Sequence, residues 1–184
     1  MCIRDRYLPS TTQSLRVIIK DNSGGYYIGT DEGVLLSFDK SKGTFQSIPL
    51  DIETGGIKSL LIVDNGLWIG TQQKGIIIYN IETESLKILN ESNGLPNNVI
   101  YSLLQQNDRY VWASTNKGIC QIDIDVLEKG EQIVVNQKLD YKSGLVNNEF
   151  NTGAYHKDAS GNLYFGGIEA VSYTHLTLPT TPYV

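Results

Sequence analysis

Apolar residues along this chain fall into short runs, each closed by a cluster of Asp, Asn, Gly or Ser, and four stretches repeat one order. They read VIIKDNSGGYYIGTDEG, LLIVDNGLWIGTQQKG, LLQQNDRYVWASTNKG and YHKDASGNLYFGG. In each, an apolar run leads to a polar turn, an aromatic, an apolar residue and two small residues, usually with another glycine soon after. The aromatics Tyr27, Trp68, Trp112 and Tyr164 stand 41, 44 and 52 residues apart. A four-stranded antiparallel sheet with short turns consumes about 40 to 50 residues, so this period predicts propeller blades or another stacked unit.

The third unit shows the strands most plainly: a over Val99 to Gln106, b over Tyr110 to Ser114, c over Gly118 to Asp123, d over Ile133 to Leu139. The a to b turns hold Asp21, Asp64, Asn107 with Asp108, and Asp158, residue types that bond their own backbone or accept positive φ. Asp39, Asn80 and Asp123 fall where each third strand must turn. The b to c turns carry Gly33, Gly75 and Gly118, where small residues let backbones come close. The expected fold is all-β: a partial β-propeller of about three to four four-stranded blades in an open arc, with boundaries near 14–55, 56–98, 99–148 and 149–170.

Composition agrees with this reading. Among 184 residues there are 18 Gly, and 11 Tyr stand beside 4 Phe, which fits a turn-rich β protein rather than a helical bundle. Apolar runs all fall short of the roughly 18 residues a membrane helix needs. The net charge of -5, with no block of Lys or Arg, argues against a nucleic-acid partner. Cys2 and Cys120 provide neither a disulfide framework nor metal-ligand spacing.

Catalytic chemistry finds little support, so no catalytic residue, metal or cofactor is expected. The histidines are His156 and His175, and HExxH, GxSxG and CxxC motifs are absent. The repeated Asp21, Asp64 and Asp158 are explained by turn geometry, although abundant carboxylates leave a glycosidase pair open by composition. Trp68 and Trp112 admit a ligand-stacking role, but a once-per-blade aromatic at a fixed strand position favours packing between blades.

The carriers of a family resemblance are Trp68-Ile69-Gly70-Thr71 with Gly75, Gly94-Leu95-Pro96-Asn97-Asn98, Trp112-Ala113-Ser114-Thr115 with Gly118, and Gly144-Leu145-Val146-Asn147-Asn148. They resemble the two-component regulator propeller repeats in the periplasmic sensor region of hybrid two-component sensor histidine kinases. The resemblance implies tandem seven-bladed propellers, of which this arc is about half of one. It also implies export to the periplasm on an inner-membrane receptor, with the remaining blades and a kinase module elsewhere in a full-length chain that pairs as a homodimer. Residues 1–6 and 171–184 depart from the pattern and resemble translated adapter sequence, so they are read as non-native ends.

In a propeller the first strand of each blade is innermost, which puts the d to a linkers and the b to c turns on one face. That face collects Gln72, Gln73, Asn97, Asn98, Asn116, Asn147, Asn148 and Asn151, with Lys74 and Lys117. Neutral amides offer donors and acceptors together, the chemistry that sugar hydroxyls match, whereas the plainer reading makes the Asn pairs turn caps. The expectation is a non-catalytic module sensing an oligosaccharide and relaying signal to the kinase. A protein-interaction scaffold and a fragment of a propeller hydrolase or lyase are the alternatives. Truncating the Asn pairs is expected to weaken binding with the fold largely intact.

Overall fold

The structure, a computed structural model, describes residues 13–21 and 23–168. The first antiparallel sheet orders β1 (Leu15–Lys20), β2 (Tyr26–Thr30), β3 (Leu35–Asp39) and β4 (Thr44–Ile48). The second orders β5 (Ile57–Val63), β6 (Gly66–Thr71), β7 (Ile76–Asn80) and β8 (Leu86–Leu89). The third is built from β9 (Ile100–Gln105), β10 (Tyr110–Thr115), β11 (Gly118–Asp123) and β12 (Val135–Leu139). The fourth has two strands among the described residues, β13 (Phe150–Lys157) and β14 (Leu163–Gly167). The first strands of successive sheets stand side by side. The all-β expectation of four-stranded blades in an arc that does not close therefore holds. The two ends read as non-native lie outside the described residues.

The repeated side chains close the hairpins by bonding their own turns. Asp21 Oδ1 accepts from the N–H groups of Ser23 and Gly25 at 2.9 and 2.7 Å, and Asp158 Oδ1 does the same for Ser160 and Asn162 at 2.9 and 2.8 Å. Asp39 accepts from the Ser41 hydroxyl and the Ser41 and Lys42 amides, and these bonds, the Ser41 hydroxyl first, hold its carboxyl down to about 2. Asn80 caps the matching turn in the second blade through Glu82 and Thr83.

Trp68 and Trp112 are buried, and each packs toward the blade that follows. Trp68 shares a cluster with Ile100, Leu103, Val111 and Ala113, whereas Trp112 shares one with Leu145, Phe150, Leu163 and Phe165. Tyr27 meets Ile57, Leu60 and Ile69 in the same way. Glycines on the second strands permit this stacking: a Cβ on Gly29 would strike the Ile57 side chain, and one on Gly70 would strike Ser59 and Ile100. The aromatics are therefore inter-blade core. On the first blade, Ile18 at 62% and Leu15 at 48% exposed leave an apolar face in solvent.

Two details of the third blade differ from expectation. A short helix, α1 (Ile124–Glu128), follows β11, with Asp123 as its N-cap. Ile124 and Leu127 fold under the second blade into the Trp68 cluster. The last strand starts at Val135 rather than Ile133, because residues 132–134 are drawn onto the preceding linker: Asn93 Nδ2 donates to the Gln132 carbonyl and Val134 N to the Asn93 carbonyl.

Cys120 lies fully buried on β11, and desolvation pushes its thiol up to about 12. It is expected to resist alkylation in the native protein and to be modified fully in denaturant. Peptide mapping after iodoacetamide treatment checks this.

Candidate functional site

The second and third linkers fold into the same turn from different sequences. Asn90 and Asp140 cap single 3-10 turns at Glu91–Asn93 and Tyr141–Ser143, and Gly94 and Gly144 end them at φ 95 and 99. Those angles favour glycine, which explains both glycines of the GLxNN motif. Leu95 and Leu145 then plug the core, 3% and 6% exposed. Asn98 Oδ1 accepts from Glu91 N at 3.1 Å, and Asn148 Oδ1 from Tyr141 N at 2.8 Å, closing each loop back on its start. Asn97 and Asn147 accept from Val99 N and Glu149 N.

These linkers are fastened to the b to c turns. Gly75 N donates to the Asn98 carbonyl and Gly118 N to the Asn148 carbonyl, both at 2.9 Å, while Gln72 N and Gln73 N bond the Gly56 and Thr54 carbonyls of the first linker. Thr71 and Thr115 are buried and clip the same turns through hydroxyls donating to the Gly75 and Gly118 carbonyls. Linkers and b to c turns are thus hydrogen-bonded into one surface.

The sequence-selected amides sit on that surface in two roles. The oxygens of Asn97, Asn98, Asn147 and Asn148 are committed to backbone N–H donors, so truncating them disturbs the turn as well as any ligand contact. This corrects the expectation that their loss leaves the fold largely untouched. Because an N–H donor identifies the oxygen, the NH2 groups of Asn98, Asn147 and Asn148 remain for other partners. Gln72 and Gln73 are exposed, and their carboxamides make no hydrogen bond among the described residues. Asn116 accepts from the Tyr101 hydroxyl at 2.6 Å, and Asn151 Nδ2 donates to the Gly167 carbonyl at 3.2 Å. Lys74 and Lys117 are exposed.

The structure also assembles a cluster that sequence reasoning missed. The β1–β2, β5–β6 and β9–β10 pairings slip one residue in, leaving Arg16, Lys58 and Tyr101 as the unpaired bulge residues. Bulges re-aim side chains, and these converge at the inner rim. Arg16 pairs with Asp31, Lys58 Nζ lies 5.3 Å from the Tyr101 ring centroid, and it donates to Thr152 Oγ1 of the fourth blade at 3.5 Å. Burial, then the Arg16 charge, lower the Lys58 pKa. The three positions share only their place, second in each first strand, and carry three different side chains, so the sequence alone offers no repeating signal for them.

Residues 94–117 match the family model described as two component regulator propeller, spanning the end of the second linker, β9, β10 and the turn after it. Over 165 residues the chain is 26% identical to histidine kinase P4 of Formosa agariphila, which covers 85% of this chain and 12% of that protein. Its fold is similar to the extracellular domain of a putative hybrid two component system from B. thetaiotaomicron, at TM-score 0.69 and 19% identity over 88% of this chain and 23% of that one. A putative one component system of the same organism has an extracellular domain with TM-score 0.65 and 25% identity, over 87% of this chain and 21% of that one. The chain thus spans a small part of each relative, and the resemblance to two-component regulator propeller repeats holds.

Proposed function

We propose that this chain is a non-catalytic, ligand-sensing part of the periplasmic propeller of a hybrid two-component sensor kinase. It takes an oligosaccharide on the linker and b to c face and passes signal to a kinase beyond the residues here. The observation that supports this most is the fastening of two like linkers to their neighbouring turns, through Gly75 with Asn98 and Gly118 with Asn148. A polar surface already rigid before binding loses little entropy when a ligand arrives. Its uncommitted carboxamides, above all Gln72 and Gln73, supply paired donors and acceptors to hydroxyls.

The test uses Gln72→Ala with Gln73→Ala, because these side chains hold no turn together. Calorimetric titration against an oligosaccharide panel is expected to show about tenfold weaker binding, the loss of one to two neutral hydrogen bonds. The thermal melt should match the parent. Unchanged affinity in a folded double variant would place the ligand elsewhere.

A further inference from the structure

We propose that the inner rim at Lys58 receives a carboxylate, so that the oligosaccharide sensed on this face is an acidic one bearing uronic acid residues. This inference rests on the oligosaccharide reading and adds the charge of the sugar. Lys58 is the unpaired residue of the β5 bulge, half-buried, and no carboxylate lies within ion-pair reach of it among the described residues. The adjacent cation, Arg16, is already matched by Asp31 through two bonds, Nε to Oδ1 at 2.6 Å and a terminal guanidinium nitrogen to Oδ2 at 3.0 Å. The ammonium therefore has no ion-pair partner among the described residues: one hydroxyl and one ring face hold it, and Asp31 acts on it from beyond ion-pair distance.

A partly desolvated cation whose nearest carboxylate is already bonded to another cation is costly, and an incoming anion offsets that cost. The surroundings favour a single carboxylate set among hydroxyls over a polyanion such as nucleic acid. Asp31 is bonded to the neighbouring Arg16, Glu149 acts on Tyr101, and the whole chain carries -5, so a densely charged phosphate backbone meets repulsion. The groups Lys58 touches directly are neutral, the Thr152 hydroxyl and the Tyr101 ring, and the Tyr101 hydroxyl in turn donates to the Asn116 carboxamide, whose NH2 is left to donate. A uronate unit presents that combination, one charged oxygen pair on a ring of hydroxyls.

The experiment compares trimers of galacturonate, glucuronate and mannuronate with their methyl esters, which keep the sugar ring and remove the charge. At least one acid form is expected to bind the chain tenfold or more tightly than its ester. Lys58→Met should bring the acid form down to the ester's affinity, and Lys58→Arg should retain the preference, with circular dichroism confirming that both variants fold. If the esters or neutral glycans bind as well as the acids, the carboxylate assignment falls and the oligosaccharide reading stands. An acid preference that survives in Lys58→Met likewise overturns the assignment. If no glycan of either kind binds, both readings fall together.

Discussion

Trp112→Ala is expected to open the boundary between the third and fourth blades, at a cost of about 3 to 5 kcal/mol. The indole is 1% exposed among Leu145, Phe150, Leu163 and Phe165, so its removal leaves a cavity shared by two sheets. Its Nε1 also donates to Gln106 Oε1 at 2.8 Å, an oxygen that Gln121 Nε2 approaches at 2.9 Å, and Asn136 extends this chain of amides to Gln121. In a stack where each unit leans on its neighbours, the loss should appear locally first. Limited proteolysis is expected to release the residues after 140 before the second blade is cut, with the urea midpoint lowered. Trp68 fluorescence, reporting the boundary between the second and third blades, should hold to higher urea. Simultaneous loss of all blades would show that the stack behaves as one cooperative unit.

Gly118→Ala is expected to damage the site by a different route. Gly118 sits at φ 93, where a side chain costs about 1 to 3 kcal/mol, and its Cβ would collide with the Leu139 carbonyl oxygen of β12. That oxygen belongs to backbone and cannot rotate away. Movement of the turn would also break the 2.9 Å bond from Gly118 N to the Asn148 carbonyl, which ties the turn to its linker. Gly161→Ala is the control, because Gly161 has φ 87 and open space around it. The thermal midpoint should fall further for Gly118→Ala than for Gly161→Ala, and the difference measures the crowding. Equal losses would mean that the turn yields without strain.

Blade order was legible because independent signals agreed along the chain. Turn residues, the aromatic of the second strand, the small pair after it and the GLxNN linker all marked the same period. Packing of Trp68 and Trp112 between blades followed from their once-per-blade recurrence. Helix α1 escaped because five residues make too little periodicity to stand out, although Asp123 and the Ile124 and Leu127 pair were its signature. Lys58 escaped for a related reason: Arg16, Lys58 and Tyr101 occupy one structural position with three different side chains, so no repeat reveals them. Spacing placed the amides on one face. It does not reveal that the oxygens of Asn98 and Asn148 already accept from Glu91 and Tyr141, which depends on how each linker curls back.

The central claim, a ligand face made of linkers and b to c turns, is tested most directly by nitrogen-15 resolved NMR of the chain titrated with the best-binding oligosaccharide. Backbone and side-chain amide signals of Gln72, Gln73, Asn116, Asn147 and Asn148 are predicted to shift together and saturate at one dissociation constant. Those of the opposite turns, at Ser23, Asn65, Asp108 and Ser160, should stay in place. Saturable shifts confined to the Ser23, Asn65, Asp108 and Ser160 turns would contradict the account.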